Sequence, residues 1–219
     1  MPAFSLPDAV LAVGSLGTAS FALVDATKAF GGGISNRGFT GISRMLGRFL
    51  PSAGTEFRSV RNTLRANWIN GTASLGDQKS IAKTLIKLHL TDANAAHMAH
   101  QTAVDSTLLT QVARKYAAPT ATLTPEEQNV ASRFDLQLAS IIDDAYQRGD
   151  QNYRNSAKVL AIVFAVILAV SSKYALGMKE IDLTVAVIAG LLAAPLAPVS
   201  KDLASALQAG AKALQSLKN

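Results

Sequence analysis

Three histidines are the residues of this 219-residue sequence best suited to bind a metal. His97 and His100 lie three positions apart, so on a helix they would share one face and could bind the same ion. His89 lies outside that spacing, and no carboxylate or third ligand follows the pair at a regular helical offset. We therefore predict no metal site and no cofactor.

Residues for covalent or acid–base catalysis form no recognisable pattern either. The sequence has no cysteine, which excludes disulfides, thiolate metal ligands and cysteine nucleophiles. Asp143 and Asp144 are adjacent, and adjacent side chains on a helix point in different directions. The glycines at residues 31–33 are not followed by the lysine of a phosphate-binding loop. The sequence therefore predicts a protein that is not an enzyme.

Arginines at helical spacing indicate binding rather than catalysis. In residues 39–49, apolar side chains share one face of a predicted helix and arginines lie off it. This pattern is typical of helices on anionic membranes, and equally of an ordinary packed helix whose arginines are solvated. Residues 55–70 carry three more arginines in a stripe. Such a stripe could meet lipid phosphates, nucleic acid or an acidic protein, and a solvated helix face is the plain alternative. The predicted lipid- or partner-binding residues are Arg44, Arg48, Arg58, Arg61 and Arg65.

Nucleic acid is not the predicted partner. One candidate recognition helix, STLLTQVARKY, follows another short helix after a brief turn, which superficially resembles a helix-turn-helix. That segment is positively charged only at its end and has few side chains that could read bases. We therefore expect a lipid or protein partner instead.

The sequence also contains three uncharged apolar runs, at residues 9–24, 159–172 and 183–199. A membrane span needs about 20 apolar residues, with about 17 as the lower limit, so length alone also allows buried helices of a soluble protein. Lys173 could extend its ammonium group to the headgroups, which would lengthen the second run to residue 178. Pro195 and Pro198 in the third run are better tolerated in packed membrane helices than in water.

Small residues recur every four positions in each apolar run. Such stripes let helix backbones approach closely in a bilayer, although an alanine-rich chain also produces them by chance. The predicted helix-packing residues are Gly14, Thr18 and Ala22 in the first run, Ala161, Ala165 and Ala169 in the second, and Ala186, Gly190 and Ala194 in the third.

The distribution of charge predicts an orientation. Residues 37–158 carry 15 Lys+Arg and 10 Asp+Glu, so a polar domain separates apolar ends. Basic residues follow the first run, precede the second and follow the third. Because cytoplasmic flanks of membrane helices are rich in Lys and Arg, we predict an outside N-terminus, a cytoplasmic central domain, an outside turn and a cytoplasmic C-terminus.

The predicted fold is therefore an all-α membrane protein in five segments. Helix signals inside the central domain predict inward-facing Leu88 and Tyr116, helix caps at Asp92 and Asp105, and a capping box at residues 124–127. The segments are an N-terminal transmembrane helix at 1–30, a basic juxtamembrane amphipathic segment at 31–52, a cytoplasmic helical domain at 53–157, a transmembrane helical hairpin at 158–199 and an amphipathic C-terminal helix at 200–219.

The two ends of the chain, LPDAVLAVGSLGTASFALVDATKAF and GLLAAPLAPVSKDLASALQAGAKAL, carry a resemblance. They look like a set of small bacterial multi-pass inner-membrane proteins of unknown function, with one N-terminal span, a cytoplasmic helical region and a C-terminal hairpin. This resemblance implies a bacterial inner (plasma) membrane. It implies no catalytic or ligand residues.

Together these patterns predict a non-enzymatic scaffold, anchor or assembly subunit that acts through its cytoplasmic helical domain. Its expected partners are the lipid bilayer, anionic lipids, and either other proteins or further copies of itself. Two alternatives stay open. One is a pore-forming, holin-like oligomer that associates through Ala186, Gly190 and Ala194, and the other is a soluble helical binding module.

Overall fold

The computed structural model describes residues 6–71, 73–118, 121–178 and 181–216 and, within these ranges, the side chains of residues 9–199 and 202. All regular secondary structure within these ranges is helical, which confirms the all-α prediction for them. The α-helices are α1 (Leu6–Ala26), α2 (Ser35–Leu46), α3 (Thr55–Asn70), α4 (Leu75–Leu88), α5 (Asp92–Thr102), α6 (Ser106–Tyr116), α7 (Pro125–Ala175) and α8 (Leu183–Ser216), and a 3-10 turn (Thr27–Ala29) follows α1.

Local signals fix several helix ends. α7 begins with the predicted capping box, in which Thr124 N donates to Glu127 Oε2 (2.7 Å) and Glu127 N donates to Thr124 Oγ1 (3.3 Å). The carboxylate of Asp105 accepts from Leu108 N (2.8 Å) and caps α6. The cap of α5 is Thr91 rather than the expected Asp92, which is the first residue of the helix.

The chain divides into two compact units. The apolar unit comprises residues 1–34 and 154–219, and the bundle unit comprises residues 35–153. α7 belongs to both, because its residues 125–153 are part of the bundle unit and its residues 154–175 are part of the apolar unit.

Large apolar side chains fill the core of the bundle unit. Trp68 and Tyr146 pack edge to face with ring centroids 6.1 Å apart, and Trp68 Nε1 donates to the carbonyl oxygen of Ser35 (2.9 Å). A Cβ at Gly38 would lie 2.7 Å from the carbonyl oxygen of Gly149, so α2 and α7 touch through their backbones at these two glycines. The largest fully buried residues include Ile42, Leu46, Phe49, Leu64, Ile86, Met98, Leu109, Leu138 and Tyr146.

The apolar face of α2 belongs to this core, which favours the packed-helix alternative over a helix that lies on a membrane surface; the predicted juxtamembrane segment at residues 31–52 stays a prediction. Phe39, Ile42, Met45 and Leu46 are all buried within the bundle unit. A helix whose apolar face is already covered cannot lay that face into a bilayer surface. Only its arginine-bearing side can meet a ligand.

Two predicted core residues are exposed instead. Leu88 has 72 % and Tyr116 has 59 % of its surface exposed. α4 buries a neighbouring face, on which Ala82 and Ile86 lie, whereas α6 buries Leu109 and Val112 and leaves Tyr116, its last residue, exposed on the same side. The apolar period of a short helix allows both faces, so contacts with other helices decide which one is buried.

The long helices α7 and α8 continue through glycine and proline residues, which often end or kink a helix. α7 continues past Gly149, and α8 contains Pro195 and Pro198 without ending. The predicted C-terminal helix at 200–219 is a continuation of α8 as far as Ser216. Its predicted apolar face, at residues 203, 207, 211 and 214, lies outside the described side chains, as do Lys179 and Glu180 of the preceding turn.

Candidate functional site

Two of the three histidines are hydrogen-bonded to backbone carbonyl groups. His97 Nε2 lies 2.7 Å from the carbonyl oxygen of Arg48, and His89 Nδ1 lies 2.7 Å from that of Leu85. His100 is exposed. Within the described part of the chain, no group of three or more histidine and acidic side chains is placed to hold a metal ion.

The five predicted arginines lie on α2 and α3 or directly after α2, and the structure divides them into two groups. Arg44, Arg61 and Arg65 line one cleft between α2 and α3. Arg48 and Arg58 are exposed and do not line it. The sequence placed all five on basic helix faces, and only the packing of α2 on α3 brings three of them together.

This arginine cleft has a volume of about 520 Å³ and contains both hydrogen-bonding and apolar surfaces. Arg61 Nε donates to Ser43 Oγ (3.1 Å), and its guanidinium lies over the ring of Phe39, 5.8 Å from the ring centroid. Arg65 Nε and Nη2 donate to Asn36 Oδ1 at 3.2 and 3.0 Å. The lining residues are Asn36, Phe39, Thr40, Ser43, Arg44, Arg61 and Arg65, with no carboxylate among the described residues that form it.

The lysines of the bundle unit are used differently, since they tie α4 and α6 to α7. Lys83 and Lys87 both donate to the carboxylate of Asp135, at 3.0 and 2.7 Å. The hydrogen bond from Lys87 is the main reason why the pKa of Asp135 lies below its ordinary value. Lys115 Nζ donates to Glu127 Oε2 (2.6 Å) and likewise lowers the pKa of that carboxyl group. These cations are therefore occupied with structural contacts.

Small residues form the interior of the apolar unit. Ala161 and Ala165 of α7 are completely buried, and a Cβ at Gly190 of α8 would lie 2.5 Å from the Cα of Val166. A Cβ at Gly17 of α1 would lie 2.0 Å from the carbonyl oxygen of Ala193. Both distances are far below van der Waals contact, so the backbones of these helices touch directly where the glycines lie.

Large apolar side chains cover the outside of the same unit. Val159, Val163 and Ile167 of α7 are 63 %, 47 % and 52 % exposed, on the opposite face from the buried alanines. α8 shows the same arrangement, because its large apolar residues Ile188 and Leu192 are exposed. Apart from Val24, the described side chains that are buried in the apolar unit are thus small, and many of its large apolar side chains are exposed, whereas the bundle unit buries its large side chains.

Among the residues that the structure describes, two helices are, by length and composition, long and apolar enough to cross a membrane. They are residues Ala9–Ala29, with 21 residues, and the helix Pro125–Ala175. At 1.5 Å per residue, the first is about 31 Å long, close to the roughly 30 Å hydrocarbon core of a bilayer. The segment Leu183–Val199 is apolar but shorter.

The predicted small-residue stripes of the second and third runs lie mostly inside the apolar unit. Ala186, Gly190 and Ala194 of α8 are buried, as are Ala161 and Ala165, while Ala169 of α7 is half-buried.

The first run uses a different face from the predicted one. Gly14 is buried, but Thr18 and Ala22 are exposed. The buried small residues missed by the sequence reasoning are Gly17 and Ser20, whose hydroxyl donates to the carbonyl oxygen of Leu16 (2.7 Å) and so leaves no unpaired donor inside. A three-residue spacing could have indicated this stripe as well as the four-residue one did.

No protein-family model, curated protein or solved structure matches this chain. The resemblance of its two ends to small inner-membrane proteins therefore stays a prediction. The function has to be inferred from the chain's own residues.

Proposed function

We propose that this chain is a non-enzymatic integral membrane protein whose apolar unit lies in the bilayer and whose bundle unit acts as a scaffold, anchor or assembly module. The proposal covers three spans, formed by α1, the apolar part of α7 and the first half of α8.

A single observation carries this proposal: the apolar unit buries mainly small side chains and exposes large apolar ones. Full burial of a Val, Leu or Ile side chain is favourable by about 1.5–3 kcal/mol, so a half-exposed one forgoes roughly 1 kcal/mol in water. Eight such side chains on α7 and α8 forgo about 8 kcal/mol, which is comparable with the whole stability of a typical domain, about 5–15 kcal/mol. These eight, between 47 and 63 % exposed, are Val159, Val163, Ile167, Val185, Ile188, Leu191, Leu192 and Val199.

A bilayer removes this cost. Lipid tails are as apolar as leucine, so large side chains gain nothing by packing inside, and helices associate instead through small residues that allow close backbone contact. The contacts at Gly17 and Gly190 are of this kind. Pro195 and Pro198 within α8 also fit a helix whose surroundings contain no competing water.

Lysine and arginine positions support one orientation of the three spans. The segment after α1 has Lys28 and Arg37, and the segment before the apolar part of α7 has Arg148, Arg154 and Lys158. The positive-inside rule then places the bundle unit in the cytoplasm and the turn between α7 and α8 outside. With the resemblance of the chain's ends, the proposed location is a bacterial inner membrane.

A groove on the bundle unit supports its role as an interaction module. It encloses about 800 Å³ and is lined by residues of α4, α5, α6 and α7. The exposed apolar residues Leu88 and Tyr116 are among its lining residues. Large apolar side chains that stay exposed next to a groove are typical of protein-binding surfaces.

Carbonate extraction tests membrane insertion. Membranes from cells that express the full chain are washed at alkaline pH and centrifuged, and we expect the chain to stay in the pellet until detergent is added. Release into the supernatant by carbonate alone would contradict the proposal, because it would show a peripheral or soluble protein.

Cysteine labelling tests the orientation without background, since the natural chain has no cysteine. We expect a membrane-impermeant maleimide to label Ile181→Cys in intact cells, and to label Ser140→Cys only after the membrane is opened. The reverse pattern would place the bundle unit outside and refute the proposed topology.

Photo-crosslinking tests the interaction role. A benzophenone amino acid at Tyr116 should give discrete covalent adducts in cells, whereas the same group at the exposed Gln137 of α7 should give none. An adduct of twice the monomer mass would indicate self-association. Equal labelling from both positions would show that the groove is not a specific contact surface.

The holin-like alternative lacks a supporting observation. The residues through which it would oligomerise, Ala186, Gly190 and Ala194, are buried inside the apolar unit of a single chain. Association through them would require the unit to open first.

A further inference from the structure

The arginine cleft between α2 and α3 combines fixed positive charge with several hydrogen-bond donors. Arg61 uses one N–H, at Nε, to bind Ser43 Oγ. A guanidinium group has five N–H donors, and the Nη donors of Arg61 form no hydrogen bond with another described residue. The hydroxyl of Ser43 accepts that bond, which leaves its own proton able to donate into the cleft.

The second positive group at the cleft is Arg44, and it is exposed. It forms no ion pair within the part of the chain that the structure describes. Arg65 adds a third positive charge and is positioned by its two hydrogen bonds to Asn36. Three guanidinium groups with no carboxylate among the described lining residues create a local positive potential that favours an anion.

We propose that the arginine cleft binds a phosphate group, held by the guanidinium groups of Arg44 and Arg61 and the hydroxyl of Ser43. Donors from α2 and α3 converge on the cleft from both helices, which suits a tetrahedral anion with several oxygens better than a single planar carboxylate. The phosphate is either that of an anionic lipid headgroup or a free phosphate.

This inference deepens the proposed function, because a phosphate site on the bundle unit would be where that unit recognises an anionic headgroup. The binding chemistry itself does not require insertion into the bilayer. The proposed membrane insertion and the proposed phosphate binding can therefore be refuted independently of each other.

The test uses the full chain in a neutral detergent, with the fluorescence of its sole tryptophan as the signal. Trp68 lies one helical turn after Arg65 and donates to the carbonyl oxygen of Ser35, the neighbour of Asn36, so binding in the cleft should change its environment. The chain is titrated with inorganic phosphate, with chloride at equal ionic strength, and with monomeric short-chain phosphatidylglycerol. We expect a saturable change with phosphate and not with chloride.

A matched pair of double variants identifies the site. Arg44→Gln with Arg61→Gln should weaken phosphate binding by at least about tenfold for each arginine, since hydrogen bonds to charged groups are individually strong. Arg48→Gln with Arg58→Gln removes the same charge from the same region outside the cleft, and should change binding by less than about twofold. Arg61→Lys keeps the charge but loses the planar fork, and should bind more weakly than the natural chain.

Each outcome of these titrations either supports phosphate binding in the arginine cleft or overturns it. Tighter binding of phosphatidylglycerol than of inorganic phosphate would identify a lipid headgroup as the source, and the opposite order would identify a free phosphate. Equal weakening in both double variants would show diffuse attraction and overturn the proposal. No saturable signal, or stronger binding of a glutamate peptide than of either phosphate probe, would also overturn it. If carbonate releases the chain but phosphate still binds, the proposed function fails and this inference stands.

Discussion

The contact between Gly17 of α1 and Ala193 of α8 provides the sharpest test of the packing in the apolar unit. In Gly17→Ala, the added Cβ would lie 2.0 Å from the carbonyl oxygen of Ala193 and 3.0 Å from the Cβ of Ala197. The first of these neighbours is backbone, so it cannot rotate away. The helices must separate, and the contacts along both of them weaken together.

The expected size of this effect follows from two opposing contributions. Overpacking costs typically about 1–3 kcal/mol, and a clash with backbone belongs at the upper end. Replacing glycine by alanine inside a helix favours the helix by about 1 kcal/mol. The net loss in the free energy of unfolding should therefore be about 2 kcal/mol, and Gly17→Leu should lose more.

Unfolding with sodium dodecyl sulfate in dodecyl maltoside micelles, followed by far-ultraviolet circular dichroism, measures this loss. Gly41→Ala is the control for helix propensity, because the nearest atom to its added Cβ is 4.0 Å away, and it should be neutral or stabilising. Ala22→Leu is the control within α1, because Ala22 is exposed, and it should change stability by less than about 0.5 kcal/mol. A neutral or stabilising Gly17→Ala, or an Ala22→Leu as damaging as Gly17→Leu, would refute the packing described here.

Three further predictions concern the bundle unit. Asp135→Asn should lower the free energy of unfolding by about 1 kcal/mol, since it weakens two partly exposed lysine pairs, and a denaturant titration of the full chain measures it. Stability should also fall on acidification, because Asp135 and Glu127 have pKa values in the folded chain below their ordinary 3.8 and 4.5. The two ionised carboxylates contribute their full stabilisation above the ordinary pKa values, and this stabilisation is lost as the pH falls through the lower pKa values of the folded chain. In thermal melts from pH 7 to pH 3, the melting temperature should therefore fall mainly below about pH 4.5, and it should fall less in Asp135→Asn. Leu88→Ala should leave the melting temperature nearly unchanged, whereas Ile86→Ala should cost about 2–5 kcal/mol, and similar losses in both variants would contradict the observed burial.

Features that depend on neighbours in sequence were predictable. The capping box of Thr124 and Glu127, the cap at Asp105 and the buried face of α2 all follow from residue types at fixed short spacings. The all-helical class follows in the same way, because apolar period and cap signals act within one or two helical turns. The exposed position of Leu88 could not be read from the same period, since α4 has two adjacent faces with apolar residues. Tyr116 shares a face with the buried Val112, and its exposure at the end of α6 depends on the packing of that helix.

The arginine cleft shows how far functional residues can be predicted from the sequence. All five arginines could be named from helical spacing, but Arg44 and Arg61 are 17 positions apart and meet only because α2 packs on α3. The fixing partners, Ser43 and Asn36, carry no sequence signal of their own. Serine and asparagine on helices are too common to mark a site.

The sequence by itself determined that the chain is helical, where most helices begin, and that apolar segments flank a charged middle, because these properties depend on composition and on contacts a few residues apart. Only the tertiary structure decided that α1 packs through Gly14, Gly17 and Ser20 rather than through Thr18 and Ala22, and that three arginines share one cleft. The physical reason is the same in both cases. A helix offers several chemically similar faces, and the backbone and side chains of distant segments select among them.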